Sequence, residues 1–213
     1  SSLYRYRRMQ QLVGEGPPLD VTKAAEVLRD RKGLNGADIG MGNEKAVNQL
    51  IAHHSVIFMP ERRLAWVSAG PWQEGSYICY DLNKIFNNFA DLQQRAVIEE
   101  AALNIPSDTF LGTTDYIKFL RYKEMRDSIR LWLTRNDPLE QYRSFSDEII
   151  TLNPSFYEAY LLAGDLCLMY GDQEGACSFF SRALCCEIPD RNIREEIIRK
   201  TAKCTLVIKK QKK

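Results

Sequence analysis

The sequence has little material for a metal site or for a histidine-dependent catalytic centre. It contains only two histidines, His53 and His54, and they are adjacent. None of its six cysteines forms a Cys-x-x-Cys pair, whereas structural zinc sites use Cys and His ligands at short, paired spacings. We therefore expect no metal ion and no other cofactor. We interpret the cysteines as small, reduced, buried residues, although pairing in an oxidising compartment stays open.

The chain also lacks an excess of charge of either sign and lacks a long apolar run. Its 29 Lys and Arg residues against 28 Asp and Glu residues leave a net charge of +1, which argues against nucleic acid as a partner. No apolar segment approaches the roughly 20 residues that span a bilayer, so we expect no membrane segment. The first eight residues carry charge where a signal peptide has an apolar stretch, and the localisation stays unknown.

What the sequence does contain is enough apolar material for a core, distributed over two regions of different character. Hydrophobic residues make up 45% of the 213 residues. Helical and strand-like patterns mix in residues 1–88, whereas nearly all of residues 89–213 has a helical pattern. We therefore predict an α+β protein with two regions, residues 1–88 and 89–213. Because the chain does not begin with Met, we expect a fragment of a longer protein.

The first 51 residues predict three helices and one loop. Leu3, Tyr6, Met9 and Val13 recur at helical spacing, and Asp20 is a candidate N-cap for a second helix that ends near Gly33. A short third helix is expected after Asn43. The glycine-rich residues 33–42 lack the spacing of a phosphate-binding loop, so we predict a shaped loop without a nucleotide.

Three strand-like segments follow, at residues 54–58, 64–68 and 76–82. The first two flank a polar turn and predict a hairpin. Because these segments carry apolar side chains on both faces, the sheet needs a covering layer on each side. Few helices are available nearby, so we expect these strands to be the edge of a larger sheet.

The rest of the chain predicts helices, including a hairpin that resembles a tetratricopeptide repeat. One helix is expected before Pro106, a long one from Thr114 to about Leu133, and another over residues 142–150. The positions that match the tetratricopeptide pattern are Tyr160, Ala163, Gly164, Ala176, Phe180 and Ala183. We expect Gly164 to lie where two antiparallel helices pass closest, with Ala176 opposite. Residues 194–206 form a candidate capping helix.

Residues 1–86 resemble the C-terminal part of the acyl-coenzyme A:6-aminopenicillanic acid acyltransferases. This family is the C45 group of N-terminal-nucleophile hydrolases. The motifs that carry this resemblance are Tyr4-Arg5-Tyr6-Arg7-Arg8-Met9, the helix of residues 21–31 with its Leu-Arg-Asp segment, the hairpin of residues 51–68, Gly70-Pro71-Trp72-Gln73 and Tyr80-Asp81-Leu82. The resemblance implies an αββα sandwich that hydrolyses or transfers amide-linked acyl groups. It also implies a cysteine nucleophile, exposed by self-cleavage, whose own α-amine is the base.

That nucleophile precedes the Arg- and Tyr-rich helix in the family, so none of the cysteines in this chain matches it. Cys79 falls inside a strand, and Ser1 opens a basic helix rather than a buried strand. We therefore assign no catalytic residue and expect the chain alone to be catalytically incomplete. Candidate substrate-pocket residues are His53, His54 and Ser55, with His53 and Ser55 on one face and His54 on the other; two polar residues at a strand end are the simpler interpretation.

Two functions stay open. The first is the C-terminal portion of a C45-like amide hydrolase or acyltransferase, whose partner is the missing N-terminal catalytic part or a second copy of the chain. The second is a non-enzymatic helical-repeat scaffold that binds a protein partner. One or two repeats present little concave surface for a partner. The simpler interpretation of the helical region is therefore a docked structural extension.

Overall fold

The chain folds into a mainly helical α+β structure with one small antiparallel sheet. The computed structural model describes residues 2–14, 19–87, 97–135 and 141–211. The strands are β1 (Val56–Met59), β2 (Leu64–Ser68) and β3 (Tyr77–Asp81). The helices are α1 (Ser2–Val13), α2 (Val21–Leu28), α3 (Leu82–Asn87), α4 (Thr114–Arg135), α5 (Tyr142–Leu152), α6 (Tyr157–Met169), α7 (Gln173–Leu184) and α8 (Arg191–Gln211).

The first two helices form as predicted. The Asp20 carboxylate accepts a hydrogen bond from the Lys23 backbone N–H at 2.7 Å, which is the N-cap of α2. A two-point ion pair of 2.8 and 2.9 Å between Arg8 and Asp30 attaches α1 to the end of α2. The predicted helix end at Gly33 is wrong, because α2 ends at Leu28 and Gly33 has an ordinary negative φ of −86°.

The predicted helix after Asn43 is also wrong, and a folded loop stands in its place. The Asn43 side chain donates hydrogen bonds to the carbonyls of Ile39 and Glu187, at 2.8 and 2.9 Å. Met41 and Asn153 exchange two further hydrogen bonds of 3.0 and 2.8 Å. Such side-chain bonds to the backbone compete with helix formation. These bonds therefore hold the loop of residues 33–51 against the segment before α6 and the segment after α7.

The sheet has the order β1-β2-β3, and both neighbouring pairs are antiparallel. Ile57 pairs with Trp66, which pairs with Cys79, so these three side chains share one face. This face is buried against Ala25 of α2 and Ile105. The three predicted strands are thus confirmed, with β1 beginning two residues later than residue 54.

The opposite face of the sheet is apolar and only partly covered by the described residues. It carries Phe58, which is 66% exposed, and Val56, which is 37% exposed. The partly buried side chains Val67, Ile78 and Tyr80 lie on the same side of the sheet as Val56 and Phe58. We call these five side chains the open face. An apolar cavity of about 420 Å³ between Phe58 and Phe86 of α3 continues it.

Residues 97–108 pack along the outer edge of β3 rather than forming the helix predicted before Pro106. Only a 3₁₀ turn, Ala101–Leu103, forms there, and the predicted helix residue Ala96 lies outside the described residues. Tyr77 and Ile105 exchange backbone hydrogen bonds of 2.9 and 3.0 Å. This segment therefore belongs with the sheet in space, while the division of the chain at residue 88 stays a prediction.

The helices from α4 onward form one layered assembly. Helix α6 packs against α5 and α7, and α7 packs in turn against α8. The turn between α6 and α7 uses Gly171 at a φ of +78°, and Asp172 caps α7 through the Gly175 backbone N–H at 2.9 Å. The helical hairpin predicted from residues 157–189 is thus present, and α8 covers the predicted capping helix.

The cysteines are free thiols in this structure. Cys79, Cys167 and Cys204 are buried, Cys177 and Cys186 are partly buried, and Cys185 is exposed.

Among the described residues, no helix is both long and apolar enough to cross a bilayer.

Candidate functional site

The three residues predicted to line a substrate pocket lie at the entrance to β1. His53 and His54 are exposed in the segment before the strand, and Ser55 is partly buried directly beside it. The Ser55 backbone N–H donates to the Ser68 hydroxyl at 2.8 Å, which extends the pairing of β1 with β2. Their assignment to a substrate pocket stays a prediction.

Ser55 belongs to the covered face of the sheet, where its hydroxyl meets Tyr77. The two oxygens lie 2.5 Å apart, and Tyr77 is fully buried. Burial raises the pKa of Tyr77, because the phenolate is poorly solvated there. Tyr77 is therefore a neutral partner of Ser55 at neutral pH and not a base that removes its proton.

A buried arginine, Arg29, ties the end of this face together. Its guanidinium donates to the backbone carbonyls of Gln73, Gly75 and Pro106 at 3.1, 2.7 and 2.8 Å. It also lies 5.1 Å from the centre of the Tyr77 ring. Five guanidinium donors in one plane suit this arrangement, which joins the loop after β2 to the segment after Ile105.

Next to Arg29 lies Glu74, which sequence reasoning missed. Its carboxylate is fully buried and accepts hydrogen bonds from Arg31 at 2.6 Å and from Asn48 at 2.8 Å. The second oxygen is buried without a hydrogen-bond partner among the described residues. Burial raises the pKa of Glu74, although the neighbouring Arg31 acts in the opposite direction. The only sequence signal was a charged residue in the short loop between two strands.

This arrangement orders the end of the sheet but does not supply a nucleophile and a base. Cys79 is fully buried in β3, and burial raises the pKa of its thiol, which disfavours the reactive thiolate. The described residues also bring together no group of His, Cys, Asp and Glu side chains that suits a metal ion. Ser1 lies outside the described residues.

Comparison of the chain with protein-family models, with curated proteins and with solved structures finds no match. Functional assignment therefore depends on the sequence motifs and on the geometry described above.

Proposed function

We propose that the chain is the C-terminal portion of an N-terminal-nucleophile amide hydrolase or acyltransferase of the C45 type, with its catalytic cysteine outside this chain. The observation that carries the proposal is the open face. One face of the sheet is buried against α2, whereas the opposite face exposes Phe58 and Val56. In an αββα sandwich the first face contacts a helical layer and the second contacts another sheet.

The open face has the properties that a sheet-on-sheet contact requires. Two packed sheets interdigitate apolar side chains that alternate along each strand, at a spacing of about 10 Å. Phe58, Val67 and Ile78 supply such side chains from each of the three strands. The free outer edge of β1 is also available, because β2 is its only described neighbour in the sheet. The occupant we propose is the remaining β-structure of the same domain.

The substrate-pocket candidates acquire different roles in this proposal. By strand alternation, His54 is in phase with Val56 and Phe58, so it belongs to the side of the second sheet. Ser55 is in phase with the face that α2 covers and contacts Tyr77. We therefore assign substrate contact to His54. Ser55 is a positioning residue that holds the strand entrance, and His53 shapes the neighbouring loop.

The proposed reaction uses a thiol that this chain does not provide. The thiolate attacks the amide carbonyl carbon, the C–N bond breaks, and the amine leaves with the proton that the α-amine has taken from the thiol. Water then hydrolyses the thioester, or an acceptor amine takes the acyl group. The residues of this chain bury the site and supply one wall of it.

The test uses the protein encoded by the full reading frame and a panel of N-acyl amino acids and penicillin-type amides. We expect amine release that stops when the N-terminal cysteine of the processed chain is changed to alanine. Phe58→Asp is expected to abolish turnover, because it places a charge in the contact between sheets. Ile117→Asp is the matched control, since Ile117 is 64% exposed on α4. Absence of turnover in the unaltered protein, or turnover that survives loss of the cysteine, would contradict the proposal.

The second candidate is a helical-repeat scaffold that binds a protein partner. The close hairpin of α6 and α7, stacked between α5 and α8, favours this function and the tetratricopeptide-like interpretation. The reading frame distinguishes the two candidates. A cysteine at the head of a strand upstream of Ser1 supports the enzyme, whereas a start codon directly before Ser1 supports the scaffold.

A further inference from the structure

A cavity of about 330 Å³ lies between the two regions, away from the buried Arg29 and Glu74. Loop residues 41–51 and Trp72 form one side of it, and α4 together with the start of α6 forms the other. Its volume and its position between two packed units are typical of small-molecule sites.

Much of the cavity wall is aromatic. Trp72 meets Phe119 edge-on, with 5.8 Å between ring centres. Phe119 stacks on Tyr122 at 6.4 Å, and Tyr122 meets Phe156 at 5.9 Å. Phe119, Tyr122 and Phe156 are almost fully buried, so the partly buried Trp72 is the ring that a ligand can contact. Aromatic rings prefer offset and edge-on neighbours, so Trp72 suits a ligand that carries an aromatic ring itself.

One cation on the wall is available to a ligand. Arg126 pairs with Asp127 at 2.9 Å, and Arg130 pairs with Glu158. Lys123 lies over the Trp72 ring at 4.7 Å and has no ion-pair partner among the described carboxylates. A cation over an aromatic face keeps its remaining N–H donors for an anion.

One carboxylate oxygen on the opposite side also lacks a partner. Glu44 accepts a hydrogen bond from the Tyr157 hydroxyl at 3.0 Å with one oxygen. Its other oxygen is buried and has no hydrogen-bond donor among the described residues. A buried acceptor without a donor costs free energy, which a ligand N–H group would recover.

We propose that this cavity binds a free aromatic α-amino acid. The ligand carboxylate pairs with Lys123, its ammonium group donates to Glu44, and its ring packs against the exposed part of Trp72. The proposal is independent of the amide-hydrolase assignment, because it involves neither the open face nor the residues at the entrance to β1.

The experiment measures binding of three probes by calorimetry and by Trp fluorescence. L-Phenylalanine carries both charges, 3-phenylpropionate lacks the amine, and phenethylamine lacks the carboxylate. We expect L-phenylalanine to bind at least about tenfold more tightly than either of the others, since a hydrogen bond to a charged group contributes about 1.5 kcal/mol or more.

Two substitutions test the two ends of the ligand separately. Lys123→Met is expected to weaken L-phenylalanine and 3-phenylpropionate by about tenfold and to leave phenethylamine unchanged. Glu44→Gln is expected to weaken L-phenylalanine and phenethylamine and to spare 3-phenylpropionate. The matched controls are Lys118→Met and Glu124→Gln, which lie on α4 with Lys123 but do not line the cavity. Denaturation midpoints identify a variant that fails to fold, in which case the other variant carries the test.

Three results would overturn the proposal. The first is the absence of binding of L-phenylalanine at millimolar concentration. The second is equal affinity for all three probes. The third is a folded Lys123→Met variant that binds L-phenylalanine as the unaltered chain does.

Discussion

Gly164 of α6 lies directly against the ring of Phe180 of α7. A Cβ atom added at residue 164 would lie 2.6 Å from the Cδ1 atom of Phe180 and closer still to Cε1. Phe180 is itself fully buried, so its ring has little freedom to move away. We expected Ala176 opposite Gly164. Ala176 is fully buried on α7, as Phe180 is, but the atoms nearest to Gly164 belong to Phe180. The small residue is what allows the two helices to approach.

This contact predicts that adding even one methyl group at residue 164 destabilises the chain. Helix propensity alone would favour Gly164→Ala by up to about 1 kcal/mol. We expect Gly164→Leu to lower the free energy of unfolding by roughly 1–3 kcal/mol, and Gly164→Ala to lower it as well, because the core becomes overpacked. Urea denaturation measures both. Gly112→Ala is the control, since a Cβ atom there meets nothing within 4 Å. A midpoint for Gly164→Leu at or above that of the unaltered chain would refute the close contact.

Gly40 lies in the loop of residues 33–51 and packs against Phe156, the residue before α6. Its φ is +83°, and an added Cβ atom would lie 2.6 Å from both the backbone nitrogen and the Cα atom of Phe156. Gly36 has a similar φ of +76° but open space around it. We therefore expect Gly40→Ala to lower the thermal unfolding temperature much more than Gly36→Ala does. Equal shifts would show that backbone strain, and not the contact with Phe156, governs this position.

Glu74 predicts a pH dependence of stability with a definite sign. Because burial raises its pKa in the folded chain, the folded chain binds more protons at this site than the unfolded chain does. The stabilisation is fully present below the unfolded pKa and is lost as the pH rises through the folded pKa. The free energy of unfolding of the chain minus that of Glu74→Gln should therefore decrease as the pH is raised from about 4, near the reference pKa of glutamate. Glu26→Gln, at an exposed position on α2, reports the background, and a difference that increases with pH would contradict this sign.

The chain alone should show no acyl-amide hydrolysis. The thiol of Cys79 in β3 is fully buried, and burial raises its pKa. The Ser55 hydroxyl is hydrogen-bonded to Tyr77. We expect no amine release above background from purified chain with the same substrate panel. Cys79→Ala is the informative comparison, because thiol-dependent turnover that this substitution removes would make Cys79 a nucleophile and not a packing residue.

The open face should cause association of the chain in isolation. Exposed apolar sheet faces and unpaired strand edges promote contact with other chains. We expect light scattering to report a homo-oligomer whose mass falls to that of a monomer in Phe58→Asp, while Ile117→Asp leaves it unchanged. A monomer at high protein concentration that also binds no apolar dye would be evidence against an exposed contact face.

Local patterns were sufficient for the elements whose stability is local or periodic. The N-cap at Asp20, the apolar run of β2 and the small residues of the α6–α7 hairpin all act within a few residues or one packing contact. The helix predicted after Asn43 was wrong because the partners of the loop that forms there, Asn153 and Glu187, lie more than a hundred residues away. Glu74 escaped for the same reason, since its burial depends on Arg31 and Asn48, 43 and 26 residues distant in sequence.

Amide hydrogen exchange of β1 tests most directly whether this sheet is the edge of a larger one, with another strand paired to the free edge of β1. The Ser68 backbone N–H donates to the Ser55 carbonyl, so every second residue of β1 from Ser55 onward hydrogen-bonds to β2. The backbone amides of Val56 and Phe58, which lie between those residues, therefore point to the free edge of the strand. The comparison is between the isolated chain, diluted until it is monomeric, and the protein from the full reading frame. We predict slow exchange of these two amides in the longer protein and fast exchange in the isolated chain. Equally fast exchange in both would contradict the proposal that the remaining β-structure of the domain continues this sheet.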